Sequence, residues 1–156
     1  PLDWAFFLAF HRARALPGVE VVAGEDYRRV VRVGDYLGRI SLARVAVNAL
    51  ELRLAPADDG ALAALLPRVR RAFDLDVNLA PIAAHLGQDA ALAPLVAARP
   101  GLRVAGSVDG FEQAVRAVLG QQISVRAARD LGGRLAARWG TPLAADDDEL
   151  RYAFPT

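Results

Sequence analysis

Asp109-Gly110-Phe111-Glu112-Gln113-Ala114-Val115-Arg116-Ala117-Val118-Leu119-Gly120-Gln121-Gln122-Ile123-Ser124-Val125 holds a helix start, a helix stop and a second helix start in one short run. Asp109 and Glu112 have capping-box spacing, in which the first side chain accepts from the amide three residues on and the second reaches back. Phe111, Val115, Val118 and Leu119 recur at helical intervals and are expected to form the buried face. Gly120 stops this helix. Gln121-Gln122-Ile123 makes a tight turn, and Ser124 can cap a second helix that ends at Trp139-Gly140. Gly132-Gly133 falls inside that second helix and costs it about 1 kcal/mol per glycine relative to Ala.

Upstream, Asp3 can cap a helix from Trp4 to about Ala15, ended by Pro17-Gly18. Trp4, Phe6, Phe7, Leu8 and Phe10 make it apolar on most sides, so it is expected to be largely buried or to lend a face to something other than water. Val31 and Val33 lead into Gly34-Asp35, a two-residue hairpin signal. Tyr36, Ile40 and Leu42 then share one face, with Arg39 and Ser41 on the other. Leu50 to Leu54 alternates in the same way, which predicts three or four antiparallel strands across residues 19–54. After Asp58-Asp59-Gly60 the period becomes helical through Leu62, Leu65, Leu66, Val69 and Phe73, with Pro67 expected to kink or split the helix. Ile82 to Leu86 and Ala90 to Ala98 read as short helices, broken at Gly87 and ended by Pro100-Gly101. The predicted class is α+β: a sheet-and-helix unit over residues 1–76, then an all-helical unit over residues 77–156.

Composition narrows the chemistry. The chain has 156 residues, 54% of them hydrophobic, enough for a packed core. There is no Cys, which removes disulfides and thiolate metal sites. The two His, at 11 and 85, are too far apart in sequence to suggest a metal pair. All 19 basic residues are Arg, so no lysine amine is available for a Schiff base. Ala fills about a fifth of the chain, and the Arg and Ala bias together match a GC-rich genome. No apolar run reaches membrane-spanning length and Pro1 opens no signal peptide, so the expectation is a soluble, cytoplasmic bacterial protein and a monomer. The net charge is only +1, but residues 99–140 hold seven Arg against three acids. That local excess fits an anionic partner, and it equally fits the solvated faces of amphipathic helices.

Familiar catalytic signatures are missing: there is no phosphate-cradling glycine loop, metal triad or nucleophile elbow. His11, one turn from Phe7, reads as a partly exposed side chain, and His85 as a residue near a helix C-terminus. Asp146-Asp147-Asp148-Glu149 lacks the alternating spacing of a calcium loop and reads as a solvated loop or helix start. The adjacent amides Gln121 and Gln122 stand out. They fit a plain polar turn, or a turn that projects side chains toward nucleic acid while the free amides of the next helix face phosphate.

The run from Asp109 to Val125 closely resembles a signature of the AlkA-type alkylation-repair DNA glycosylases (3-methyladenine DNA glycosylase II), of the helix–hairpin–helix glycosylase superfamily. Asp3-Trp4 with its aromatic helix, Phe73-Asp74-Leu75-Asp76, Arg99-Pro100-Gly101-Leu102-Arg103 and Phe154-Pro155-Thr156 extend the resemblance along nearly the whole chain. It implies that the N-terminal half is TBP-like and that the later helices begin a glycosylase domain. Family members start with a strand before the helix at Asp3. Past the Phe154-Pro155-Thr156 position they continue into the glycine-rich hairpin and the catalytic aspartate, so the resemblance implies a fragment of a larger protein. In Arg-rich relatives an Ada-type module often lies upstream, so an Ada–AlkA fusion parent is one implied origin.

Such enzymes flip an alkylated base out of duplex DNA and hydrolyse its N-glycosidic bond. The resemblance places Gln121 and Gln122 on the wedge turn, with Gln122 at the inserted position and Ser124 at the helix start beside it, as DNA-binding residues. It places Phe10 in the base pocket, where an aromatic face attracts a cationic alkylpurine; a plain core aromatic is the other reading. Arg14, four residues on, would border that pocket. No catalytic residue is expected within the chain, which alone should be inactive, and neither metal nor organic cofactor is expected. The alternatives are a non-catalytic DNA-binding module of an Ada-type regulatory fusion, or an α+β folding unit with no further role.

Overall fold

The computed structural model describes residues 1–144 and 149–156. The aspartates of the acidic run, Asp146, Asp147 and Asp148, lie outside the described residues, while Glu149 pairs with Arg28 at 3.1 Å.

Helix α1 (Trp4–Arg14) starts where Asp3 accepts a hydrogen bond from the Phe6 amide at 3.0 Å. Trp4, Phe7 and Leu8 are buried. Four antiparallel strands follow in sequence order: β1 (Glu20–Ala23), β2 (Asp26–Val33), β3 (Tyr36–Ala46) and β4 (Ala49–Ala55). Gly34 turns the β2–β3 hairpin at φ 57°, a conformation that suits glycine because it has no Cβ. Helix α2 (Asp59–Ala72) is capped by Asp58. It buries Leu65, Val69 and Ala72 among Tyr27, Ile40, Leu42 and the α1 aromatics. The split expected at Pro67 does not occur: the helix runs on through it. Leu65 and Val69, on either side, stay buried, and that packing offsets the lost N–H.

Short helices α3 (Leu79–Leu86) and α4 (Ala93–Ala98) contain no fully buried residue. Helix α5 (Gly110–Leu119) begins at Asp109, which accepts from the Glu112 amide at 2.8 Å. Helix α6 (Val125–Trp139) begins at Ser124, which accepts from the Ala127 amide at 3.2 Å. Gly132 and Gly133 lie where α6 crosses the α1–β1 connection. A Cβ on Gly132 would stand 2.7 Å from Leu16, and one on Gly133 2.8 Å from Pro17. The close approach gained there offsets the helix propensity lost.

The structure corrects the reading of α5. Phe111 and Val118 are exposed, at 54% and 68%, rather than buried. The residue turned fully inward is Glu112, at 1%. Its carboxylate does not complete a capping box; it pairs with Arg29 and Arg116. The periodicity of α5 correctly marked a helix, but the neighbour the helix meets is charged. A short ladder unforeseen in the sequence joins β5 (Thr141–Pro142) to β6 (Tyr152–Ala153). Beside it, Leu150 and Ala153 pack on Val30, on the sheet face away from α1 and α2.

Candidate functional site

The strand register puts a charge on the apolar face of the sheet. Tyr27, Arg29 and Val31 alternate onto the same side of β2 and stand opposite Leu42, Ile40 and Gly38 of β3. Arg29 is also the direct cross-strand partner of Glu20 on β1. Both are buried, at 4% and 5%. Burying ions without partners would be costly, so their contacts decide whether this is tolerable. Arg29 donates to Glu20 at 3.1 Å and to Glu112. Arg116 donates to Glu20 and Glu112, at 2.9 Å each. The Tyr27 hydroxyl donates to Glu20 at 2.7 Å. Two carboxylates thus meet two guanidiniums, and the set is neutral as a group.

Burial opposes the Glu20 charge, yet Arg29, Arg116 and the Tyr27 hydrogen bond hold its pKa down at about 2. Burial, reinforced by Glu20, pushes the Tyr27 hydroxyl well above its ordinary value. Arg116 also donates to Arg14 O at 2.8 Å, which ties α5 to the end of α1.

Above this cluster lies a cavity of about 260 Å³. Phe10, His11 and Arg14 of α1 form one wall, with Phe73 behind. Arg116 of α5 and Gly120 just past its end, then Ile123, Val125 and Arg129, form another. His11 packs its ring against Phe7 at 4.7 Å and Tyr27 at 4.8 Å. Its Nε2 is buried without a hydrogen-bond partner. Burial, with Arg116, Arg29 and Arg14 nearby and Glu20 working the other way, lowers its pKa to about 4. The imidazole is therefore neutral at physiological pH.

Among the residues singled out from the sequence, Phe10 and Arg14 both line this cavity. Gln121 and Gln122 are exposed on the turn between α5 and α6, and the flanking Gly120 and Ile123 are cavity-lining residues. The turn therefore sits at the rim of the space that Phe10 faces. Gln122 has φ 58°, the left-handed region that a side chain disfavours, and such outliers gather at functional corners. The Ser124 hydroxyl is engaged in capping α6.

Sequence reasoning missed Glu20, Arg29, Glu112, Arg116 and the cavity position of His11. One signal was available: Arg29 falls at an apolar register position between Tyr27 and Val31. Among the described residues no group of three or more His, Asp or Glu side chains could hold a metal ion.

Comparison with known proteins places the chain. Residues 1–109 match the AlkA N-terminal domain. The chain is 40% identical to the DNA-3-methyladenine glycosylase 2 of Escherichia coli, over all of this chain and 53% of that protein. It is 38% identical to a probable bifunctional transcriptional activator/DNA repair enzyme AlkA of Mycobacterium tuberculosis, over 92% of this chain and 29% of the relative. The 3-methyladenine DNA-glycosylase of Archaeoglobus fulgidus shares the fold with a TM-score of 0.83 at 21% identity, over 99% of this chain and 53% of its own. The chain spans about half the length of the first of these relatives and under a third of the second. With the match extending over more than two thirds of its residues, the chain belongs to the AlkA N-terminal domain family.

Proposed function

We propose that this chain supplies the damage-reading part of a DNA glycosylase that flips and excises alkylated bases of the 3-methyladenine type in base excision repair. The observation that carries the reading is one juxtaposition: the exposed Gln121-Gln122 turn borders the cavity that Phe10 lines. Flipping a base leaves a gap in the stack, which Gln122 would fill, since an amide is flat and can also hydrogen-bond base edges. The extruded base would enter beside Phe10, whose ring face favours a cation. Ser124 and the free amides at the start of α6 would lie near phosphate.

Ring-nitrogen alkylation makes the base a good leaving group. The reaction then needs a carboxylate to stabilise the oxocarbenium-like sugar, and a water to complete a monofunctional hydrolysis. In this reading that carboxylate comes from an aspartate outside the chain, and residues 1–156 alone release no base. Residues 1–76 act as the sheet-and-helix unit and residues 77–156 as the first part of the glycosylase domain. The partner is double-stranded DNA.

A duplex-binding titration tests the reading. The chain should bind DNA in a salt-dependent way, more tightly when the duplex contains an abasic gap, and Gln122→Ala should erase the preference for the gap. Equal affinity of wild type and variant for gapped and intact duplex would overturn it. The name of the Mycobacterium tuberculosis relative favours a second reading, a DNA-binding module within a regulatory fusion. That reading predicts binding to intact duplex with no preference for the gap.

A further inference from the structure

Arg14 ends α1 inside the cavity wall. Its guanidinium carbon stands 3.9 Å from the centre of the Phe10 ring. Its Nη1 donates to Phe10 O at 3.3 Å. Both contacts are to the residue one turn back on the same helix. The other cavity arginines are committed to carboxylates: Arg29 and Arg116 to Glu20 and Glu112, and Arg129 to Asp130. Arg14 has no such ion pair among the described residues. Its backbone is nevertheless fixed, because Arg116 donates to Arg14 O at 2.8 Å. The main chain is pinned, while the hydrogen bond and the ring contact that the side chain makes among the described residues are both to Phe10.

We propose that Arg14 is a resident stand-in for a cationic purine: it covers the face of Phe10 in the free protein and yields that face when a positively charged base enters. This rests on the reading of the cavity as the site of a flipped alkylated base. A guanidinium and an N-alkylated purine are both flat cations, drawn to the same negative ring face. Two like charges do not share one face at stacking distance. A cationic base that displaces Arg14 recovers the attraction that is lost. A neutral purine must displace the same cation without recovering it. Arg14 thus weakens every ligand of that face by the same factor, about two- to fivefold for a partly exposed contact of this kind, and the preference for a cation stays with the Phe10 ring itself.

The experiment is an NMR titration of this chain at neutral pH. The probes are 3,9-dimethyladeninium, which is permanently charged, and its neutral counterpart 9-methyladenine. The side-chain protons of Arg14 should start with the upfield shift that the Phe10 ring current produces. Saturation with the cation should abolish that shift. Arg14→Gln should bind both probes more tightly, each by the same factor of about two- to fivefold. An Arg14 signal that stays upfield at saturation, or unchanged affinity for both probes in Arg14→Gln, would overturn the proposal. Phe10→Leu separates the two levels of inference. If the wild type binds the cation and Phe10→Leu does not, the cavity reading stands whatever Arg14 does. If neither Arg14→Gln nor the wild type binds the cation, the cavity reading fails and this proposal fails with it.

Discussion

The two ends of α5 are built in opposite ways. At its first turn, Glu112 is 1% exposed and ion-paired to Arg29 on the sheet. At its far end, Val118 is exposed and the chain turns through Gln122 in a left-handed conformation. The base of the helix is locked by charge, and its tip is presented to solvent. The proposed role of Gln122 would be served by this combination, because the backbone behind an inserted side chain has to hold still while the side chain itself stays exposed. Arg116 adds the link that matters for geometry. It reaches Glu112, Glu20 and Arg14 O together, so the helix that carries the turn is fixed to the helix that carries Phe10.

The largest test of this contrast is to break the lock. Arg29→Ala leaves two carboxylates buried against Arg116 alone and should destabilise the protein by about 3–5 kcal/mol, read from urea unfolding. A loss below 1 kcal/mol would mean that the cluster is solvated and does not fix α5.

Acid should weaken the same region in two stages. His11, with its pKa lowered from 6.5 to about 4, is neutral in the fold and takes up a proton more readily when unfolded. Its contribution is present above pH 6.5 and fades as pH falls toward 4. Glu20, lowered from 4.5 to about 2, contributes above pH 4.5 and loses that contribution as pH falls toward 2. Unfolding free energy measured against pH should therefore decline over both windows, and His11→Phe should flatten only the upper one.

Gly132→Ala tests the packing of α6 on the connection beneath the lock. The added methyl meets Leu16 at 2.7 Å, so the variant should lose about 1–3 kcal/mol, although Ala is the better helix former. A gain in thermal stability would show that Leu16 moves aside freely.

At the tip the effects on stability should be smallest. Gln122→Gly removes the left-handed strain and should be neutral or stabilising by up to about 1 kcal/mol. Gln122→Ala should change stability by no more than about 0.5 kcal/mol. Both should weaken binding to a gapped duplex. A tip variant that unfolds the protein would erase the distinction between the two ends of α5.

Local signals in the sequence identified most of the elements. Asp3, Asp109 and Ser124 each cap a helix through a bond spanning three residues, and such bonds are visible in any short window. Gly34-Asp35 marked its hairpin for the same reason. The candidate site was half legible. The Gln121-Gln122 turn stood out in the sequence itself, Phe10 came from a motif resemblance and Arg14 from its helical spacing to Phe10, while the buried charges beneath them did not register. Glu112 looked like a capping partner because its spacing from Asp109 allows that. Phe111 and Val118 looked like core because periodicity tells that a helix has two faces but not what each one meets.

The chain by itself determined where helices begin, where strands turn back and which side chains are available for chemistry, because neighbours along the backbone decide those matters. Tertiary structure alone decided that Arg29 and Glu112, 83 positions apart, would neutralise each other, and that Phe10 would line a cavity shared with residues of α5 and α6. The reason is physical. A charge is tolerated on an apolar face only when a distant partner is delivered to it, and delivery depends on strand register and helix packing together.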